Sequence, residues 1–186
     1  QCLSESEDLD TLHTKACVEL LASDHYQAID AVQNASDSIA AFIEAVIQRG
    51  GRLIYIGCGT SGRLGVLDAA ECPPTFQSDP EKIIGLIAGG DTSLRTSSEA
   101  KEDNPEGAHD VLRELNLSEN DTVLGIAAGG TTPWVHGGLE FAHDQGAMTG
   151  FLTCSETQHK YDHLIMLQTG PEPLTGSTRL KEGTAT

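Results

Sequence analysis

Hydrophobic residues recur at helical spacing in the first fifty positions and then give way to short apolar runs. Residues 8–21 and 28–48 carry apolar side chains at intervals of three and four, which predicts two amphipathic helices. Gly50 and Gly51 follow the second stretch and are typical of a helix end. We therefore expect an N-terminal helical arm over residues 1–50.

Five short apolar runs after this arm predict β-strands, and stretches with helical spacing lie between them. The predicted strands are residues 53–56, 83–88, 122–127, 148–153 and 164–167. The predicted helices are residues 94–103, 108–115 and 135–143. This alternation predicts an α/β fold with a doubly wound parallel sheet flanked by helices. A ligand would bind beyond the carboxyl ends of the strands.

The loop after the first predicted strand carries the strongest chemical signal. Its glycines remove Cβ atoms where backbone must approach a ligand, and Thr60 and Ser61 add hydroxyl donors. A phosphate could bind there to N–H groups at the start of the next helix. Residues 57–62 also match the G-x-G-x-x-G dinucleotide pattern, but no clean strand ending in an acidic residue follows at the usual distance. A plain structural turn is the third interpretation.

Two further loops should meet the first at the crevice, namely residues 88–91 and 128–132. The latter carries Gly130, Thr131 and Thr132 ahead of Pro133, which is well suited to starting a helix. These residues could share the phosphate with Thr60 and Ser61. The structural alternative for the two threonines is an ordinary helix N-cap.

Charge and composition narrow the function classes. The 186 residues include 11 Lys plus Arg and 28 Asp plus Glu, a net charge of −17, which argues against nucleic acid or an anionic membrane as partner. An anionic ligand would need local donors such as Arg63, Arg179 and Lys181. No apolar run approaches the roughly 20 residues of a membrane span, and no signal-peptide pattern is visible, so we expect a cytoplasmic protein.

The cysteines and histidines give little support for metal or disulfide chemistry. The five cysteines are scattered without a Cys-x-x-Cys pair, and the seven histidines lack metal-ligand spacing. We therefore predict no metal site and no disulfide framework. Cys58 and Cys72 lie beside the proposed site, so a nucleophilic thiol is an alternative to simple packing.

Five blocks of sequence, in order, resemble the N-acetylmuramic acid 6-phosphate etherases, enzymes built on the sugar isomerase domain. The blocks are residues 51–76, 85–91, 99–103, 123–128 and 175–185. The resemblance implies a sugar isomerase domain over residues 51–186 that is truncated at its C-terminus, because family members continue well beyond the last block. The first fifty residues resemble the family only loosely.

The resemblance also implies a reaction and its catalytic residues. Etherases cleave the D-lactyl ether of N-acetylmuramic acid 6-phosphate by elimination and hydration, giving N-acetylglucosamine 6-phosphate and D-lactate in amino-sugar and cell-wall recycling. Two carboxyl groups transfer the protons, so no cofactor is expected. Glu71 matches the general acid and Glu102 the base at C2. Taken alone, Glu102 would be interpreted as part of a solvated acidic helix face that includes Glu99.

Substrate-binding residues follow from the same blocks. They are Gly59, Thr60, Ser61 and Gly62 in the first loop, Gly130, Thr131 and Thr132 in the third loop, and Ser177 and Lys181 in the last block. Helix capping by Ser177 and ordinary surface charge at Lys181 are the structural alternatives. The family usually has Ser-Gly-Arg-Thr-Pro at residues 129–133, where this chain has Gly-Gly-Thr-Thr-Pro and so lacks one hydroxyl and one guanidinium.

Two other functions stay open at this point. One is a phosphosugar-binding regulator resembling the glucokinase regulatory protein, and the other is a phosphosugar isomerase on the same domain. The Glu-Cys-Pro-Pro sequence at residues 71–74 favours the etherase. Because small sugar isomerase domains commonly build the crevice across a subunit boundary, we expect a homodimer that uses the apolar face of residues 28–48.

Overall fold

A computed structural model describes residues 6, 9–97 and 99–186, without the side chain of Glu99. Within these residues, five parallel strands form one sheet in the order β2-β1-β3-β4-β5. The strands are β1 Leu53–Gly57, β2 Ile83–Ile87, β3 Thr122–Ile126, β4 Met148–Thr153 and β5 His163–Met166. The predicted α/β fold with a parallel sheet is confirmed.

Eight α-helices connect or flank the strands in the described part of the chain. They are α1 Thr14–Asp24, α2 Tyr26–Asn34, α3 Ser36–Arg49, α4 Gly59–Phe76, α5 Thr92–Arg95, α6 His109–Glu114, α7 Pro133–Asp144 and α8 Lys181–Ala185. Two short 3₁₀ turns cover Leu9–Thr11 and Glu99–Lys101. None of the described helices is long and apolar enough to span a bilayer.

The N-terminal segment is more broken than its periodicity predicts. The helix expected from Asp8 instead begins at Thr14, after the 3₁₀ turn, and Asp8 itself lies outside the described residues. The expected helix over 28–48 is interrupted at Ala35, where the backbone has φ −90° and ψ 3°. The break directs the apolar faces of both α2 and α3 to the sheet, since Ala28 and Phe42 belong to one core cluster with Ile126.

The helix predicted over 94–103 is wrong. Helix α5 ends at Arg95, and Thr96 is extended, with φ −128° and ψ 136°. The guanidinium of Arg63, from α4, donates to the carbonyls of Ser93 and Leu94 at 2.7 and 3.1 Å. A side chain from another element therefore takes carbonyl groups that a longer helix would have used. Glu99 lies instead in the 3₁₀ turn Glu99–Lys101, and Glu102 follows that turn.

Helix α4 lies very close to the sheet and so positions its own N-terminus. A Cβ atom on Gly65 would come within 2.8 Å of Tyr55 Cβ, and one on Gly62 within 2.7 Å of the Ile87 side chain. These glycines let the helix pack directly on β1 and β2. Its first residues therefore lie at the carboxyl end of β1, where the sequence places the ligand crevice.

Candidate active site

A cleft of about 820 Å³ opens at the carboxyl ends of β1 and β3. The start of α4, the loop after β3, the segment around Arg95 and Glu102, and a loop near the C-terminus form its walls. Its lining includes Cys58, Gly59, Thr60, Ser61, Arg63, Arg95, Ser97, Glu102, Gly129, Thr132, Ser177 and Arg179. The structure thus brings together residues from four of the five resembling blocks.

The start of α4 provides an arrangement suited to an anion. Gly59 opens the helix with φ +52°, a conformation that side-chain-bearing residues rarely adopt. Among the described side chains, none caps this N-terminus. The first N–H groups of a helix have no partner within it, and together with the helix dipole they favour a bound anion. Thr60 and Ser61 add hydroxyl groups on the cleft wall.

Gly62 lies behind the cleft lining, and its predicted role in substrate binding stays a prediction. It is buried behind the cleft, its N–H bonds to the Cys58 carbonyl, and an added Cβ would lie 2.5 Å from the Gly57 carbonyl oxygen. Its lack of a side chain permits the close packing of α4 on β1.

Cys58 lies in the cleft but is poorly suited to act as a nucleophile. Burial raises the pKa of its thiol to about 12, and the nearby Glu102 carboxylate adds to the shift. Burial also raises the pKa of the Cys72 thiol, with a smaller effect from Asp68. Because the thiolate is the reactive form, both environments oppose nucleophilic chemistry.

Glu102 is half-buried on the cleft wall, and its backbone is fixed to helix α7. Its carbonyl accepts a hydrogen bond from the Trp134 N–H at 2.9 Å. Trp134 is buried, and Gly107 and Gly137 let the segment 102–108 pack tightly on α7. The position of the Glu102 carboxylate therefore depends on the packing of this segment.

Three guanidinium groups lie at the cleft in a chain with a large negative charge. They belong to Arg63, Arg95 and Arg179. Arg63 uses its N–H groups on the carbonyls of Ser93 and Leu94, whereas Arg95 and Arg179 are exposed. Arg95 was not among the binding residues predicted from the sequence, because it was placed in the first turn of a helix over 94–103 that the structure does not contain.

The other predicted binding residues divide between the cleft and its surroundings. Ser177 lines the cleft, and its hydroxyl also accepts the Arg179 N–H at 3.3 Å, as in a local turn. Thr132 lines the cleft as well. Gly130 is buried beneath the loop and Thr131 is exposed beside it, while Gly129 takes the lining position.

Lys181 lies away from the cleft and is fully buried. Its ammonium donates to Asp24 Oδ1 at 2.9 Å and to Gln27 Oε1 at 2.7 Å. The carboxylate of Glu172 accepts the N–H groups of Leu180, Lys181 and Glu182 at the start of α8. Helix α8 thus packs on the N-terminal helices and holds Lys181 outside the cleft lining, while its role in substrate binding stays a prediction.

Glu71 is not brought into the cleft of its own chain either. It is exposed on α4, twelve residues after Gly59, which corresponds to about 18 Å along a helix axis. It lies at a separate apolar groove of about 640 Å³ between α3 and α4. The groove is lined chiefly by apolar side chains of helices and sheet, among them Val32, Phe42, Leu67, Leu124, Ile165 and Leu167.

No group of three or more His, Cys, Asp or Glu side chains is placed to hold a metal ion within residues 6, 9–97 and 99–186.

Along the sequence, residues 34–143 match the family model of the glucokinase regulatory protein N-terminal SIS domain.

Comparison with known proteins gives further relatives. The N-acetylmuramic acid 6-phosphate etherase of Synechococcus sp. strain CC9605 is 50% identical over 192 residues, covering 100% of this chain and 61% of that protein. The etherase of Gloeobacter violaceus is 47% identical, covering 98% and 61% respectively. The chain thus spans about three fifths of the length of these relatives. A phosphoheptose isomerase structure from Francisella tularensis has a TM-score of 0.64 at 20% identity over 92% of each chain, which shows a shared fold.

Proposed function

This chain belongs to the sugar isomerase (SIS) domain family, together with its N-acetylmuramic acid 6-phosphate etherase relatives, and we propose that it takes part in the same carbon–oxygen lyase reaction. One observation carries the proposal. The cleft combines an uncapped helix N-terminus, suited to a phosphate, with the half-buried carboxylate of Glu102. A phosphate anchor and a general base are the two parts that proton abstraction from a phosphosugar requires.

The substrate would be N-acetylmuramic acid 6-phosphate with its phosphate at the start of α4. The N–H groups of Gly59, Thr60 and Ser61 and the two hydroxyls would bind the phosphate oxygens. Arg95 and Arg179 supply positive charge for the remaining anionic group of the substrate, the lactyl carboxylate.

In the proposed reaction the open-chain sugar loses its C2 proton to Glu102. The C1 aldehyde acidifies this proton by stabilising the resulting enolate. The C3–O bond then breaks, with a proton delivered to the departing lactate oxygen by Glu71. Water adds to the unsaturated aldehyde and gives N-acetylglucosamine 6-phosphate. These steps need only a base and an acid, so we propose that no cofactor takes part.

The position of Glu71 supports a homodimer in which the second copy completes each cleft. Within one chain the acid lies far along α4 from the phosphate site, beside an apolar groove. Large apolar side chains on α3 and α4 are also exposed, including Ile43, Ile47, Leu67 and Phe76. A stable interface of this kind buries on the order of 2,000 Å² or more. We propose that Glu71 of the partner subunit reaches the cleft, and that the protein acts in the cytoplasm.

The test is release of D-lactate from N-acetylmuramic acid 6-phosphate by the full-length protein, combined with exchange of the C2 proton in deuterated solvent. Glu102→Gln should abolish both lactate release and exchange, because the amide cannot take the proton. Glu71→Gln should stop elimination while exchange continues. Each loss should be about 10²- to 10⁴-fold, the usual contribution of a positioned acid or base.

Three results would contradict this assignment. Exchange that survives only in the Glu102 variant would reverse the two roles. Phosphosugar binding without lactate release in the wild-type protein would favour the regulator. Interconversion of an aldose phosphate and a ketose phosphate would favour the isomerase.

A further inference from the structure

The loop between β3 and α7, residues 127–132, is held by hydrogen bonds from neighbouring residues to its Ala128 and Gly130 carbonyl groups. The Ala128 carbonyl accepts the Cys154 N–H at 3.0 Å and the Thr153 hydroxyl at 3.3 Å. The Gly130 carbonyl lies 2.9 Å from Nε2 of His136. The loop has no charged side chain, so any anion that it binds must be held by N–H groups and hydroxyls.

His136 is the side chain that fixes the middle of this loop. It lies on α7 and is 6% exposed. Its Nδ1 lies 2.5 Å from the Tyr161 hydroxyl, and the His159 ring stacks on it with 4.0 Å between ring centroids. Because the Gly130 carbonyl can only accept, Nε2 must carry the proton, and in the neutral ring Nδ1 then accepts from Tyr161. Burial lowers the pKa of His136, which favours this neutral form.

The direction of the loop N–H groups follows from these carbonyl contacts. In a trans peptide the C=O and the next N–H point in opposite directions, and the described residues contain no cis bond. Binding of the Gly130 carbonyl to His136 therefore turns the Thr131 N–H away from the ring. The Ala128 carbonyl likewise turns the Gly129 N–H away from β4. Within the described residues neither N–H has a backbone or side-chain partner.

Both N–H groups thus point away from the elements that hold the two carbonyls; Gly129 and Thr132 of the same loop line the cleft, and Thr131 lies exposed beside it. Gly130 permits the arrangement, because its φ of +76° is a left-handed conformation and an added Cβ would lie 3.2 Å from the Thr153 hydroxyl. The loop thus carries the Gly129 and Thr131 N–H groups on the side opposite its bonded Ala128 and Gly130 carbonyls.

We propose that His136, oriented by Tyr161, is a positioning residue that holds the Gly130 carbonyl so that the Thr131 N–H binds the phosphate of the sugar substrate. The inference rests on the proposed function for the substrate class. It assigns to the buried His136–Tyr161 pair a part in substrate affinity. His136 itself does not touch the substrate.

The test measures binding of N-acetylglucosamine 6-phosphate, the proposed product, by calorimetry. His136→Leu should weaken this affinity about 10- to 100-fold, the range for losing one hydrogen bond to a charged group. His136→Gln should retain most of the affinity, because its amide N–H can still donate to Gly130. The affinity of Tyr161→Phe should lie between those of His136→Leu and His136→Gln. His143→Leu, an exposed position on the same helix, is the matched control and should bind normally.

Two further readouts separate positioning from folding. With N-acetylmuramic acid 6-phosphate, His136→Leu should raise KM while kcat stays near the wild-type value, since a phosphate contact acts equally in ground and transition states. In NMR titrations with inorganic phosphate, the Thr131 amide should shift in the wild type and in His136→Gln but not in His136→Leu.

The inference is overturned if His136→Leu binds as tightly as the wild type, if His136→Gln is as weak as His136→Leu, or if the wild-type Thr131 amide does not respond to phosphate. The binding readouts are independent of ether cleavage. A wild-type protein that binds the phosphosugar but releases no lactate would refute the proposed etherase, while the same titrations would still decide the role of His136.

Discussion

Ser61 is the residue at which a phosphate would meet both a hydroxyl and the helix amides of α4. It is half-buried on the cleft wall. Ser61→Ala removes the hydroxyl and leaves the N–H groups in place. We expect KM for the phosphosugar to rise by about tenfold or more with little change in kcat, because a hydrogen bond to a charged group contributes roughly 1.5–3 kcal/mol. Steady-state kinetics on the wild type and on Ser61→Ala measures the changes in KM and kcat separately.

The matched control for this prediction is Ser97→Ala, which removes another cleft hydroxyl beside Arg95 rather than at the helix start. It should change KM much less. A larger effect at Ser97 than at Ser61 would place the phosphate on the opposite wall of the cleft.

At this scale the sequence identifies local groups but not distant partners. Thr60 and Ser61 were predicted correctly to lie at the crevice, because they directly follow a buried strand and a glycine. The burial of Lys181 could not be predicted, because the carboxylate that pairs with it belongs to Asp24, which is 157 residues away. A lysine in a motif gives no sign of whether its ammonium meets a ligand or a buried acid.

Helix α7 packs closely on the segment that carries Glu102 at Gly137. An added Cβ there would lie 1.9 Å from the Pro105 carbonyl oxygen. Gly137→Ala should therefore displace the segment that carries Glu102, lowering both the melting temperature and kcat. Overpacking costs typically 1–3 kcal/mol, against which the better helix propensity of alanine offsets about 1 kcal/mol. Thermal unfolding and lactate release measure the two effects.

Gly138→Ala is the neighbouring control. Its Cβ would meet only side-chain atoms, at 2.8 Å from Ile56 Cδ1 and 3.0 Å from Ala108 Cβ, and the isoleucine end can shift. We expect a smaller loss of stability and nearly normal kcat. Equal loss of kcat in the two variants would mean that Glu102 does not depend on the close contact at Gly137.

Elements are predictable where local pattern and long-range packing agree. All five strands were found from apolar runs because both faces of a parallel sheet are covered and polar residues are scarce within it. The prediction of a helix over 94–103 failed because the Arg63 side chain, about thirty residues earlier, donates hydrogen bonds to the carbonyls at the end of α5. The break at Ala35 was not predicted, because helical spacing of apolar residues continues through it.

At the scale of the whole molecule, a buried ion pair joins α8 to α1. Lys181 and Asp24 are 2.9 Å apart, with side chains 0% and 4% exposed. Lys181→Met should lower the free energy of unfolding by about 3–5 kcal/mol, because it leaves a buried carboxylate without its partner. The affinity of the folded protein for N-acetylglucosamine 6-phosphate should stay unchanged. Denaturant unfolding and calorimetry test the two parts.

The double variant Asp24→Leu/Lys181→Met provides the control. It should be more stable than Lys181→Met alone, because replacing both partners removes the unpaired buried charge. The opposite pattern, normal stability with weakened phosphosugar binding, would restore the predicted role of Lys181 in the substrate site.

The proposed sharing of Glu71 and Glu102 between subunits can be tested by mixing two inactive variants. If each cleft takes Glu102 from one subunit and Glu71 from the other, then a heterodimer of Glu71→Gln and Glu102→Gln chains contains one cleft with both carboxylates intact and one with neither. Each variant alone has no intact cleft. Mixing two inactive proteins under conditions of subunit exchange should therefore restore lactate release.

Random exchange of equal amounts gives heterodimers as half of all dimers, so about a quarter of the clefts should be intact, because a twofold dimer has two equivalent sites. Recovery should rise to about half in a purified heterodimer carrying a different tag on each chain. The control is a mixture of Glu71→Gln with the double variant Glu71→Gln/Glu102→Gln, which cannot form an intact cleft. No recovery in exchanged heterodimers would refute the shared cleft, and Glu71 would then have to reach Glu102 within one chain or lie outside the mechanism. Recovery near a quarter would establish that the two carboxylates act across the subunit boundary.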